Sequence, residues 1–266
     1  MGQNYKPLVS VVMNNYNNEP YLNEAIESIL NQDYPNIELI IIDAFSSDRS
    51  RDIINSYASK YDNIRKIYVD KFEPYPSVTY NLGLINSRGS YIAIADSDDL
   101  SSYDRISKQV HYLENNSSVD IVGSDCYEFF GDMDNKKLIS TSVINNVRHA
   151  APPVRNPSIM LKKEILATYG LWDWKSEYAA DYEWLYRMFI QGAQFQLISE
   201  PLLYYRKSLT NISHSRAIGQ STKLLKFKIY FGIKSLNIFN FFWLKSIFSS
   251  IIYLIILFIK KILKKI

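Results

Sequence analysis

The segment YIAIADSDDL, residues 91–100, decides how the rest of the chain is read. Its first six residues are an apolar run closed by an acid, the pattern of a strand buried on both faces of a parallel sheet. Three carboxylates then crowd into four positions, at Asp96, Asp98 and Asp99. Such groups repel one another, and placing them at a strand end is costly unless a cation or hydrogen-bond donors offset the charge. Hard divalent ions such as Mg2+ or Mn2+ take oxygen ligands and commonly bridge one or two carboxylates to substrate phosphates. The segment therefore points to a phosphate-bearing ligand. Taken alone, it also fits an acidic solvated loop or an Asp-rich helix start.

Working outward, three similar runs precede it: LVSVVM (8–13), IELIIID (37–43) and IRKIYV (64–69). Helical patterns lie between them. Glu19 to Leu30 carries Leu22, Ala25, Ile26, Ile29 and Leu30 on one face, and a second helix is expected from Ser47 with Ile53, Ile54 and Tyr57. This alternation predicts a Rossmann-like, mostly parallel sheet with crossover helices. Asp43 closes its strand as Asp96 does, so both acids fall at C-terminal strand ends, where open α/β sheets bind ligands. Capping of the following turn is the simpler role for either one. Downstream, a helix is expected over Tyr103 to Glu114, followed by the apolar run VDIVGSD (119–125) and the polar segment GDMDNKK (131–137). APPVRNPSIML (151–161) reads as a proline-bearing loop entering a strand. The aromatic stretch from Gly170 becomes a helix near Ala180, with Trp184, Leu185, Met188 and Phe189 on its buried side.

The composition supports one sizeable core with an appendage: 266 residues, 47% hydrophobic and 21% charged, which excludes a disordered chain. Nine Gly and nine Pro exclude collagen-like or proline-rich low complexity. Cys126 is the single cysteine, so neither a disulfide framework nor a Cys-rich zinc site can form within one chain. The start, MGQNYKPLVSVV, lacks the apolar core of a secretory signal, and a cytoplasmic protein, peripheral on the inner face of the cell membrane, is expected. Net charge is +3, but residues 1–200 hold 18 Lys and Arg against 27 Asp and Glu, and residues 201–266 hold 12 against none. The acidic front argues against a nucleic-acid partner. The basic, apolar tail suits an anionic lipid surface.

Two parts follow from this division, residues 1–210 and a helical segment 211–266. From Ser246 to Ile259 the tail has no charge, yet that run is shorter than the ~20 residues of a spanning helix. Interfacial helices are expected, held by Trp243, Tyr253 and the cluster Lys260, Lys261, Lys264 and Lys265. The alternative is a helical hairpin packed on the core or forming an oligomer.

The chain resembles the inverting nucleotide-sugar glycosyltransferases of family 2, with the GT-A fold, over roughly residues 7–207. The resemblance rests on VSVVMNNYNNEPYLNEAIESILNQDYPNIELIIIDAFSSDRS (9–50), YNLGLINSRGSYIAIADSDD (80–99), AADYEWLYRM (179–188) and EPLLYYR (200–206), four pieces in the expected order. It implies that Asp43 contacts the nucleotide base, usually uracil, in a pocket shaped by Asn15 and Tyr16. It implies that Asp96 lies against the ribose or the metal, that Asp98 coordinates Mn2+ or Mg2+ on the diphosphate, and that Asp181 is the catalytic base. Asn81 and Arg88 stand where the family often contacts the donor. The family commonly follows its first acid with Asp-Gly or Gly-Gly. Here Ala44 and Phe45 replace that second carboxylate and glycine, which puts Phe45 in the pocket wall.

The implied partners are a nucleotide-sugar donor, expected to be a UDP-sugar, and a glycan or lipid-linked oligosaccharide acceptor. An inverting transfer needs a base for the acceptor hydroxyl and a cation for the departing diphosphate. Apolar neighbours Ala179, Ala180 and Trp184 would raise the pKa of Asp181 by desolvation; helix capping is its simpler role. Arg206 with the loop 207–216 is expected to fold over the diphosphate, and Trp172 with Trp174 to stack on an acceptor sugar or to join the core. Two other functions fit parts of the chain. A sugar-phosphate nucleotidyltransferase needs a Gly-rich basic loop where NNYNNEPYL stands, and a membrane-tethered carbohydrate-binding protein would need no base.

Overall fold

A computed structural model describes residues 6–71, 76–140, 142–143, 153–173, 179–207, 217–234 and 241–263. Strands β1 (Val9–Asn15), β2 (Ile37–Asp43), β3 (Ile64–Tyr68) and β4 (Tyr91–Asp96) are parallel, in the spatial order β3-β2-β1-β4. Each corresponds to one of the four apolar runs. These runs are continuous because helices cover both faces of the sheet. Helices α1 (Glu19–Leu30) and α2 (Ser50–Ala58) bring Leu22, Ile26 and Ile54 onto Val9, Val11, Leu39 and Ile41. On the other face, α3 (Pro76–Asn86) sets Tyr80 and Leu84 on Val12, Ile40, Ile42 and Ile94. Gly83 allows this close approach, since a Cβ there would lie 2.3 Å from Val12 Cγ1 and 2.8 Å from Ile42 Cδ1.

The second helix starts at Ser50 rather than Ser47. The intervening residues are bonded to the β1–α1 turn instead: Ser47 N donates to Asn17 Oδ1 (2.8 Å), Glu19 N to Asp48 Oδ2 (2.9 Å) and Ser50 N to Asp48 Oδ1 (3.0 Å). Side-chain acceptors in this turn outcompete helical bonding.

Beyond β4 the sheet becomes mixed. It continues through β5 (Leu100–Ser101), β6 (Ile121–Phe130), β7 (Asp132–Ile139), β8 (Met160–Lys162) and β9 (Phe195–Lys207), giving the order β3-β2-β1-β4-β8-β6-β9-β5, with β7 on β6. Helices α4 (Arg105–Asn115), α5 (Ile165–Tyr169) and α6 (Ala180–Ile190) flank this half. The polar segment 131–137 is largely a strand, turned back on β6 at Gly131, whose φ is +73°. β9 runs parallel to β6 past two irregularities beside Asp125, which carry it from the core edge to the ligand end of the sheet.

The tail forms α7 (Ala217–Lys234) and α8 (Phe241–Leu263). α7 packs on α6, where the Phe227 ring stacks on Tyr182 at 6.0 Å and 6°. α8 packs on α7, and Lys228 Nζ donates to Ser246 Oγ and Ser250 Oγ, each at 2.9 Å. α7 thus adopts the packed arrangement given above as the alternative, while α8 exposes Phe248, Ile252, Ile255, Phe258 and Ile259. Among the described residues, no helix is long and apolar enough to cross a membrane.

Candidate active site

The register of β1 organises the ligand end of the sheet. Asn15 is paired with Asp43 on one side and Asn14 with Asp96 on the other, so the two strand-end acids flank one strand end and share one rim.

At the β4 end, oxygens of Asp96, Asp98 and Asp99 all lie within 4.8 Å of one another. The Tyr80 hydroxyl donates to Asp96 Oδ1. Its ring stacks on Trp172 at 4.5 Å, and Trp172 in turn stacks on Trp184 of α6 at 5.3 Å. Asn81 locks this stack through two bonds to the Trp172 backbone, Nδ2 to O (2.9 Å) and N to Oδ1 (3.0 Å). The aromatic column links α3, which supports Asp96, to α6, whose first turn carries Asp181.

Burial pushes the Asp96 carboxyl up to about 7, with the charge of Asp98 and then of Asp181 adding to the rise. Burial also raises Asp98 and Asp99, and for Asp99 the neighbouring Asp96 and Asp98 add to it. Asp181 is raised by burial, opposed by backbone N–H groups at the start of α6. The charges of Asp96, Asp181 and Asp98 all act on Tyr80, so Asp181 and the acidic turn share one electrostatic field.

Two arginines frame this turn without neutralising it. Buried Arg105 donates through Nη2 to the carbonyls of Ile94 (2.7 Å) and Ile159 (3.3 Å), through Nε to Gln109 Oε1 (3.2 Å) and through Nη1 to Ser101 Oγ (3.0 Å). Among the described residues no carboxylate is hydrogen-bonded to it, although Asp99 and Asp96 act on it from a distance. Arg206 donates from its backbone N to Asp99 Oδ1 (2.8 Å) and from Nε to the Asp98 carbonyl (2.9 Å), while Nη2 reaches Glu24 (2.8 Å). Its guanidinium lies 4.6 Å from the ring centroids of both Tyr21 and Phe129. Arg206 is 7% exposed, so it braces the acidic turn from within rather than closing over a ligand as expected. Residues 208–216 of that expected lid, and Trp174, lie outside the described residues. Trp172 is core.

The residues present fit a hard divalent cation. Three carboxylates converge, Asp99 Oδ2 is buried without a partner among the described residues, and the oxygen-only donor set is the one Mg2+ or Mn2+ prefers.

At the β2 end the charge is already matched. Asp43 accepts from Arg51 Nε (2.7 Å) and Ser46 N (3.0 Å) at Oδ1, and from Asn15 Nδ2 (2.9 Å) at Oδ2. Tyr16, just past β1, is 40% exposed. Arg88 is not brought to this rim. It lies at the opposite edge of the sheet, before the start of β4, with its N–H on Glu38 Oε1 (2.7 Å) and Ser10 Oγ (3.1 Å). Sequence reasoning missed Tyr80, Arg105 and Arg51. The first two carry no periodic signal, but Arg51, eight residues after Asp43 at the start of a helix, was within reach of a search for a counter-ion.

The family described as Glycosyl transferase family 2 matches residues 10–190. An uncharacterised glycosyltransferase of Methanocaldococcus jannaschii is 32% identical over 279 residues, covering 99% of this chain and 94% of its own length. One from Haemophilus influenzae is 41% identical over 137 residues, covering 51% and 54% respectively. The putative teichuronic acid biosynthesis glycosyltransferase TuaG of Bacillus subtilis is 36% identical over 110 residues, covering 41% and 43%. The chain thus spans about half the length of the last two. Among solved structures, S. aureus TarS with UDP-GlcNAc superposes with a TM-score of 0.71 at 17% identity, over 86% of this chain and 67% of that one. The mannosyltransferase PcManGT of Pyrobaculum calidifontis with GDP-Man and Mn2+ gives 0.65 at 19%, over 93% and 74%. At these identities the likeness is one of fold, and it is the GT-A arrangement. With the family match running from β1 to the end of α6, the chain belongs to glycosyl transferase family 2.

Proposed function

We propose that this chain transfers a sugar from a nucleoside diphosphate donor, a UDP-sugar first among the candidates, to a hydroxyl of a glycan or lipid-linked oligosaccharide, with inversion at the anomeric carbon. The observation that carries this reading is the convergence of Asp96, Asp98 and Asp99 at the ligand end of β4, joined through the Tyr80–Trp172–Trp184 stack to α6, whose first turn carries Asp181.

In this reading the diphosphate sits against the acidic turn and the acceptor hydroxyl approaches from the Asp181 side. The hydroxyl oxygen bonds to the anomeric carbon as the bond from that carbon to the diphosphate oxygen breaks. Asp181 takes the hydroxyl proton, and its raised pKa makes it a stronger base than an exposed aspartate. Asp96, Asp98 and Asp99 would hold a divalent cation, which supplies positive charge to the departing diphosphate when bound. Tyr80 fixes the orientation of Asp96, and Arg206 fixes the turn that presents Asp98 and Asp99.

The test is release of nucleoside diphosphate from a panel of nucleotide sugars with and without Mn2+. Metal-dependent release is expected, with Asp181→Asn lowering kcat about 100- to 10,000-fold while nucleotide binding persists. Absence of both metal-dependent turnover and nucleoside diphosphate binding overturns the reading. The exposed apolar side of α8 and the lysines at its ends support a further element, attachment to an anionic membrane surface on the cytoplasmic side. Deleting residues 236–266 should then release the protein from anionic vesicles without loss of donor binding.

A further inference from the structure

The resemblance assigns the nucleobase to Asp43, yet the Asp43 side chain is 0% exposed and sits beneath Arg51. Three donors already occupy its carboxylate. A base arriving at the β2 end of the rim meets what covers that acid.

The cover is chemically specific. The Arg51 side chain is 32% exposed, and its guanidinium lies 4.8 Å from the Tyr68 centroid and 6.0 Å from that of Phe45. Nε is used on Asp43 and Nη2 on the Val69 carbonyl (2.8 Å), while Nη1 has no partner among the described residues. Phe45 is 44% exposed and holds a φ of +67°, a left-handed conformation that ordinarily favours glycine. Its ring therefore stands on the rim at the position where the resembling family carries a small residue.

We propose that Arg51 and Phe45, rather than Asp43, read the nucleobase of the donor. Arg51 Nη1 donates to a ring carbonyl oxygen, the Phe45 ring covers one face of the base, and Asp43 is the buried anchor that fixes Arg51. The ligand class follows: a base with a carbonyl on the facing edge, a pyrimidine or guanine rather than adenine. Adenine has no carbonyl and offers an amino group beside its ring-nitrogen acceptors, so a guanidinium placed for a carbonyl oxygen meets a donor on that edge. The assignment rests on the nucleotide-sugar reading of the site.

Titration calorimetry with Mn2+ on the full chain tests it, using UDP, GDP and ADP. The wild type should bind UDP or GDP at least about tenfold more tightly than ADP. Arg51→Met should erase that preference. Because this variant leaves Asp43 uncompensated, Arg51→Lys serves beside it: the cation is kept, the planar fork is lost, and a preference reduced several-fold in a folded protein is expected. Phe45→Ala should weaken all three nucleotides alike. Unchanged preference in folded Arg51→Lys, with loss of it in Asp43→Asn, overturns the assignment and returns the base to Asp43. Failure of the wild type to bind any nucleoside diphosphate overturns the glycosyl transfer reading itself, an outcome distinct from tight UDP binding that ignores Arg51.

Discussion

Asp43 and Asp96 begin alike and end differently. Each closes an apolar parallel strand beside β1, Asp43 buried and Asp96 half-buried. Asp43 is matched by a guanidinium, an amide and a backbone N–H. Asp96 faces two further acids of its own turn and the field of Asp181, with the Tyr80 hydroxyl as the one donor to its side chain among the described residues. The contrast teaches that a carboxylate at a strand end is not itself a site. What separates a braced charge from one that calls for an external cation is whether the fold supplies the opposite charge.

Four measurements break or sharpen this contrast. The largest effect is expected for Arg105→Leu, which removes the buried guanidinium behind the acidic turn and takes a donor from the Ile94 carbonyl, Gln109 Oε1 and Ser101 Oγ. Removing a fully buried side chain and leaving its acceptors short of a donor costs about 3–4 kcal/mol, readable by urea unfolding. A loss near zero would mean that Arg105 does not support the turn. Next is Asp43→Asn, which should destabilise by about 1–3 kcal/mol as Arg51 loses its charged acceptor.

Asp98→Asn should do the reverse in chelator-treated protein. Relief of repulsion raises the stability slightly, by about 1 kcal/mol or less, while Mn2+-dependent UDP binding drops. If both Asn variants shift stability in the same direction, the distinction between matched and unmatched acids fails. The fourth measurement is of pH dependence. Asp96 holds its proton up to about 7 in the folded chain, against about 3.8 for the ordinary side chain. Between those values the unfolded chain gives up a proton that the folded one keeps, so metal-free stability falls as pH rises through that window. A melting temperature a few degrees lower at about pH 8 than at about pH 5 is expected without metal, and saturating Mn2+ should narrow the gap. A flat profile in both conditions would argue against the unmatched state of Asp96.

The parallel half of the fold was legible because β1 to β4 are covered on both faces, so burial writes itself as unbroken apolar runs ending at Asp43 and Asp96. β7 was not, since its residues Asp132–Ile139 form a largely exposed, charged hairpin arm with no alternation to read. The acids of the candidate site could be proposed from their spacing and from the family pattern. Their partners could not: Arg206 meets Glu24 and Asp99 across 182 and 107 positions, contacts that only the closed sheet creates. Arg206 was accordingly expected outside, over a ligand, and is found inside. The expected reach of Asn81 toward the donor is likewise set beside a structural use, its amide being bonded to the Trp172 backbone.

Arg206 carries a practical consequence for anyone dissecting the molecule. The region of family similarity stops at residue 190, sixteen positions short of it. A fragment trimmed at that boundary would retain every acid from Asp43 to Asp181 and lose β9, together with the guanidinium that ties the acidic turn to Glu24 of α1. Such a truncation would carry a complete inventory of reactive groups on an unbuttressed wall, and its inactivity would say nothing about the chemistry of the intact chain.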